Sequence, residues 1–165
     1  MEANTAITPS QLPEADKALL CAVQALLDGS AKFFASLALR NQASEMGSRY
    51  ATNSRVVRLA EALVSQQIQG WRVMLDQQWL LTCLWYRHKA ELINRRNNYT
   101  LSLASLLEHE QQVMTLLRSI PRRLETPVLK QHLASIIATL QIQHDNWTTG
   151  ISDALEQKSD RSVSD

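Results

Sequence analysis

Apolar residues recur every three or four positions over long stretches of this chain, which is the spacing of one face of an α-helix. The clearest stretch runs from Leu101 to Trp147, where Pro121 and Pro127 separate two such stripes. Because proline is disfavoured inside a helix but accepted in its first turn, we predict two helices packed across a short turn. The stripes are Leu103, Leu106, Leu107, Val113, Leu117, Ile120 and Leu129, Leu133, Ile136, Leu140, Trp147, Ile151.

The same spacing predicts further helices before this stretch. Helix one should run from Pro13 to Arg40, and helix two from Asn53 or Ser54 to Asp76. Residues 77–98 should form a separate helix or a bend, since one rod from Ser54 to Asn97 would be roughly 65 Å long. We then predict helix three from the break at 97–98 to Ile120, and helix four from Pro127 to Gln157.

These elements predict an all-α fold, a four-helix bundle with an extra helical crossing segment between helices two and three. Residues 13–157 should form one domain, while the polar segments 1–12 and 158–165 should be disordered. Only four glycines and four prolines occur in 165 residues, too few for the many tight turns of an all-β protein.

Charge and composition narrow the choice of partners. The formal net charge of +1 provides no global field to attract nucleic acid or an anionic membrane. No run of eighteen apolar residues and no apolar N-terminal leader are visible, so we expect no membrane partner and a cytoplasmic location. Cys21 and Cys83 lack metal-ligand spacing and are expected to be reduced core thiols.

Two polar residues interrupt the apolar stripes, and they raise the question of a metal. Glu110 lies on the face of helix three and His144 on that of helix four, while Glu61 lies at the edge of helix two. A di-metal bundle needs a Glu from each of two helices and a Glu-x-x-His pair from each of the other two, yet here Gln141 precedes His144 by three residues. We therefore predict that Glu110 and His144 form a buried hydrogen-bonded pair.

The alternative is a degenerate metal site in which Glu61, Glu110 and His144 bind iron, manganese or zinc. His109, next to Glu108, has the wrong adjacency to share the inner face and is expected to be solvated. No GxSxG, P-loop, HExxH or GxGxxG motif occurs, so an enzyme is not the first choice and no catalytic residue is assigned.

Aromatic and leucine side chains concentrate in the crossing segment, at Trp79, Leu80 and Trp85. They either cap the core or offer an exposed patch to a protein partner. Capping is favoured, because aromatic residues more often pack in protein cores. The candidate interaction surface is the part of this segment that stays exposed or, alternatively, the apolar edge of helix one.

Short motifs also suggest a relationship. The run Asp28 to Phe34, the run Leu107 to Glu110 and the run Gln141 to Asp145 resemble helices one, three and four of a family of small bacterial ferritin-like proteins of uncharacterised function. The resemblance implies a ferritin-like bundle over residues 15–150. Ala31 stands where the family pattern has glutamate, and Gln143 where it has asparagine, which argues against a di-iron centre.

Three functions follow as hypotheses. The first is a non-enzymatic ferritin-like bundle that acts through protein contacts or self-association, as a bacterial stress or accessory protein. The second is a metal-binding or oxidase-like protein with the degenerate site. The third is a helical adaptor or secretion-chaperone-like module. Fold alone does not choose among them.

Overall fold

The computed structural model describes residues 12–68 and 75–163. In these residues the chain is helical, with no strand, which confirms the all-α prediction. The described elements are five α-helices: α1 Glu14–Arg40, α2 Glu45–Ser65, α3 Gln77–Arg95, α4 Leu103–Arg123 and α5 Pro127–Val163.

The helix α1 lies at the centre of the packing. It contacts α2 and α3 along its length and touches α4, while α5 packs against both α2 and α4. The helices α1, α2, α5 and α4 therefore form a closed ring. Tyr86 of α3 packs its ring on Phe33 of α1 and hydrogen-bonds Glu110 of α4, so α3 covers the seam between α1 and α4.

The core is built on the apolar face of α1, where Leu20, Leu26, Phe33 and Phe34 are fully buried. By length and mean hydropathy (1.4 over eighteen residues) α1 qualifies as a helix able to cross a membrane, contrary to the expectation from the sequence. However, 61% of that window is buried inside the protein, as in the core helix of a bundle.

The turn between α1 and α2 is tighter than predicted. The helix α2 begins at Glu45, not at Asn53 or Ser54, because Ser44 caps it by accepting a hydrogen bond from the Gly47 amide at 3.1 Å. A Cβ at Gly47 would lie 1.9 Å from the Asn41 carbonyl oxygen, so only glycine fits this close approach.

The predicted end of helix two at Asp76 is also wrong. Helix α2 ends at Ser65, and 66–68 continue as a turn; residues 69–74 of the prediction, Trp71 included, lie outside the described residues. The prediction of a separate helix after residue 76 is confirmed, since Asp76 caps α3 by accepting from the Trp79 amide at 3.1 Å.

The last two helices begin or end close to the predicted positions. Helix α4 includes Pro121 and ends at Arg123, three residues beyond the prediction, and α5 begins at Pro127 as predicted. Helix α5 continues to Val163 and so covers six of the eight tail residues for which we predicted disorder. Of the predicted disordered N-terminal segment, residues 1–11 lie outside the described residues.

Two charged side chains of α1 hold the connections between other helices. Asp16 is fully buried and accepts hydrogen bonds from the amides of Glu125 and Thr126, at 2.8 and 3.0 Å, and from the Thr126 hydroxyl at 2.6 Å. Arg40 donates to four carbonyl oxygens at the end of α3 and beyond it, those of Ile93, Arg96, Asn97 and Tyr99.

Candidate functional site

A buried carboxyl group and a phenol meet where α3 covers α4. Glu110 is 5% exposed and Tyr86 is fully buried, and the Tyr86 hydroxyl donates a hydrogen bond to Glu110 Oε1. Burial raises the pKa of Glu110 to about 8, although the hydrogen bond from Tyr86 lowers it in part. The carboxyl group is therefore mostly protonated at neutral pH. As predicted, Glu110 is a polar residue within the apolar face.

The neighbouring imidazole completes this group, which we call the seam cluster: Trp85, Tyr86, His109 and Glu110. The His109 ring stacks on the Trp85 ring, with centroids 3.9 Å apart and planes 11° from parallel. Burial lowers the pKa of His109 to about 4, so the ring is neutral at pH 7. The prediction that His109 is solvated is wrong, because α3 covers the side of α4 that carries it.

His144 belongs to a different part of the core. It is 8% exposed on α5, lies 5.8 Å from the Trp147 ring centroid, and its Nδ1 atom has no hydrogen-bond partner in the described part of the chain. Burial lowers the pKa of His144. The predicted hydrogen-bonded pair of Glu110 and His144 is therefore wrong, since the partner of Glu110 is Tyr86.

Glu61 lies in a third environment, at the contact of α2 with α1. It accepts hydrogen bonds from Gln24 at 3.0 Å and Ser65 at 2.7 Å and forms an ion pair with Arg58 at 3.3 Å. Burial acts to raise the pKa of Glu61, but these three donors together hold it below its usual value. The carboxylate is thus charged and already satisfied by protein groups.

The three metal-ligand candidates therefore have separate surroundings. Residues 12–68 and 75–163 contain no group of three or more His, Cys, Asp or Glu side chains that could hold a metal ion. Glu61 is engaged by a cation and two neutral donors, Glu110 by a phenol, and His144 lies beside an indole. Of the seam cluster, Tyr86, His109 and Glu110 are buried, so the altered pKa values of His109 and Glu110 belong to side chains largely removed from solvent.

The surface candidates divide in a similar way. Trp79 is 1% exposed and is part of the core, which confirms capping for this residue and removes it from the interaction surface. Trp85 is half-buried on His109. Leu80 remains 45% exposed, and it is joined by Leu81 at 57% and Leu84 at 43%. We call these three residues the α3 leucine face.

A groove between α3 and α4 borders this face and has a volume of about 660 Å³. Leu81 and the mostly buried Leu116 are its apolar lining, and Leu81 belongs to both the groove and the leucine face. The remaining lining is almost entirely uncharged and polar: Gln78, Thr82, Gln111, Gln112, Thr115 and Ser119, with Glu108 and Arg123 as the charged residues.

Comparisons of the chain with protein-family models, with curated proteins and with solved structures gave no match. The resemblance to small ferritin-like proteins therefore stays a prediction based on short motifs. Sequence periodicity indicated only part of the seam cluster. Glu110 could be found because it interrupts an apolar stripe, whereas His109 and Tyr86 carry no periodic signal.

Proposed function

We propose that this protein is a non-catalytic helical bundle that acts through protein contacts, and that it associates with itself through the α3 leucine face. The observation that carries the proposal is the exposure of Leu80, Leu81 and Leu84 within five residues of one helix. Single exposed leucines are ordinary on protein surfaces, whereas a contiguous apolar patch favours a contact site. The mostly uncharged groove beside the patch extends the surface that a partner can cover.

The interior supports a structural rather than a chemical role for the polar residues. The carboxyl group with the most altered pKa, Glu110, is enclosed by Tyr86 and the helices around it. Catalytic acids need contact with a substrate, and perturbed pKa values also arise in purely structural sites. The hypothesis of function through protein contacts is therefore supported by the exposed α3 leucine face.

As part of the same proposal, α1, α2, α4 and α5 form a ferritin-like bundle to which α3 has been added. Support comes from the ring of contacts that these four helices make and from the position of α3 on the α1–α4 seam. On this proposal the protein works in the cytoplasm, in a bacterial accessory role, without nucleic acid, membrane or bound metal.

Sedimentation equilibrium over a wide concentration range tests the proposed self-association. The wild-type chain should show a concentration-dependent increase in mass, and the double variant Leu80→Glu/Leu84→Glu should remain monomeric at concentrations where the wild type associates. Charged side chains on a buried apolar contact are strongly unfavourable, while at exposed positions they leave the fold intact.

The control is Ile142→Glu, a substitution at a more exposed apolar residue on α5 (65% exposed). It should leave the mass profile unchanged, and thermal unfolding should show that all variants fold. A wild-type protein that stays monomeric at every concentration would contradict self-association. Equal loss of association in the Ile142 variant would contradict the choice of the α3 leucine face.

A further inference from the structure

The groove between α3 and α4 carries one negative and one positive side chain. If a second copy of the groove is turned by 180° and placed against the first, opposite charges face each other. Glu108 and Arg123 are its two charged residues and lie toward opposite ends of α4. They are fifteen residues apart, which corresponds to about 22 Å along a helix. Neither has an ion-pair partner among residues 12–68 and 75–163.

Between these two charges α4 presents an uncharged polar stripe. Glu108, Gln112, Thr115, Ser119 and Arg123 follow one another at intervals of four, three, four and four residues, so they lie on one face of the helix. Thr115 lies within half a residue of the midpoint between Glu108 and Arg123. Rotation about an axis at Thr115 therefore places Glu108 opposite Arg123, and Gln112 opposite Ser119.

We propose that the occupant of the groove is α4 of a second copy of this chain, antiparallel to the first and related to it by a two-fold axis at Thr115. This inference rests on the proposed self-association and specifies its geometry. Two ion pairs, Glu108 with Arg123 of the second copy and the reverse, close the ends of the contact. Amide and hydroxyl side chains lie between them, and these can pair with their own kind because they both donate and accept.

The arrangement also predicts that association stops at two copies. A two-fold interface uses the same patch on both subunits and is closed once it forms. Each groove receives one helix, and Leu81 of each copy lies where the second α4 covers it. A parallel arrangement would place like charges together at both ends, which is unfavourable.

Charge reversal tests this geometry by sedimentation equilibrium. Glu108→Arg and Arg123→Glu, made singly, should each weaken dimerisation at least tenfold, because each places two pairs of like charges in contact. The double variant Glu108→Arg/Arg123→Glu should return the dissociation constant to within about threefold of the wild type. The matched controls are Glu156→Arg and Arg161→Glu, at exposed positions of α5, which should leave dimerisation unchanged.

A cysteine at the axis provides a second test. In a Cys83→Ser background, Thr115→Cys should form a disulfide between two chains under mild oxidation, because a residue on a two-fold axis faces its own copy within the roughly 7 Å that a disulfide spans. Thr139→Cys, an exposed position on α5, should not.

The outcomes separate this inference from the proposed function. A monomeric wild type overturns both. A different result would be a dimer that the leucine variant disrupts, that neither charge reversal weakens and that does not cross-link at residue 115. This result overturns the two-fold geometry and leaves the proposed function standing. Single variants that weaken the dimer without recovery in the double variant overturn the antiparallel pairing, and open-ended association overturns the two-fold axis.

Discussion

Asp16 and Glu110 both have buried carboxyl groups, but the hydrogen-bond donors around these groups differ. Asp16 accepts three hydrogen bonds, two from backbone amides at the start of α5 and one from the Thr126 hydroxyl. Glu110 is buried and accepts a hydrogen bond from Tyr86, and burial raises its pKa to about 8. Backbone donors at a helix start stabilise a negative charge, whereas a single phenol does not replace the water that burial removes.

The contrast separates two uses of a buried acid. Asp16 ties the first turn of α1 to the turn between α4 and α5, more than a hundred residues later in the chain. Glu110 instead joins α3 to α4 as a neutral side chain. We expect that any substitution of Asp16 destabilises the fold, whereas Glu110 can be replaced by a neutral side chain of the same shape.

The largest expected effect is at Asp16. Asp16→Ala removes three hydrogen bonds and leaves two backbone amides without their acceptor, so the free energy of unfolding should fall by roughly 4 kcal/mol. Urea unfolding at pH 7 measures it. Asp16→Asn keeps one acceptor oxygen and should cost about half as much; a loss below about 1 kcal/mol for the alanine variant would show that the turn holds without this anchor.

The next largest effect is the pH dependence of folding stability that arises from Glu110. The folded-state pKa, about 8, lies above the usual 4.5, so the folded state keeps a proton that the unfolded state releases between these values. The stabilisation is therefore complete below pH 4.5 and is lost as the pH rises toward 8, with a loss on the order of 3 kcal/mol between pH 5 and pH 8.

Glu110→Gln should remove this pH-dependent stabilisation, because the amide is neutral in both the folded and the unfolded state. The difference in the free energy of unfolding between variant and wild type should therefore shift in favour of the variant from pH 5 to pH 8. Subtracting the two curves cancels the contributions of His109 and His144, whose pKa values are lowered by burial and which act in the opposite direction. A difference that does not change with pH would mean that Glu110 is ionised in the fold.

The smallest effect is at Tyr86. Tyr86→Phe keeps the ring that packs on Phe33 but removes the hydroxyl donor, so unfolding should become easier by about 1 kcal/mol at pH 6. Because that donor partly lowers the pKa of Glu110, the pKa should rise further in the variant. Nuclear magnetic resonance of the labelled carboxyl carbon follows this titration, and an unchanged or lower pKa would contradict the assigned hydrogen bond.

Much of the fold was predictable from periodicity. The stripes of α4 and α5 are buried at Leu106, Leu117, Leu133 and Ile151, and the starts of α1 and α5 and the separate α3 were found from caps, prolines and length. The start of α2 was missed because Glu45 to Thr52 is mostly polar and contains Gly47, whose role is to let the Asn41 carbonyl approach.

The candidate site was harder to predict because it depends on which helix covers which face. His109 is one position from Glu110 and about 100° around the helix, so a single stripe cannot include both. It is buried because α3 lies across the α1–α4 seam and Trp85 stacks on it. For the same reason the sequence could not show that Glu61, Glu110 and His144, the candidates for the alternative metal site, have separate partners.

By itself, the sequence determined the helical class, most helix limits and the apolar residues of the core, because these follow from local propensity and a period of 3.6 residues. Only the tertiary structure decided the charge state of Glu110, the burial of His109, the anchoring roles of Asp16 and Arg40, and the exposure of Leu80, Leu81 and Leu84. Each of these depends on contacts between residues far apart in the chain, and desolvation and hydrogen bonding act through such contacts without leaving a local pattern.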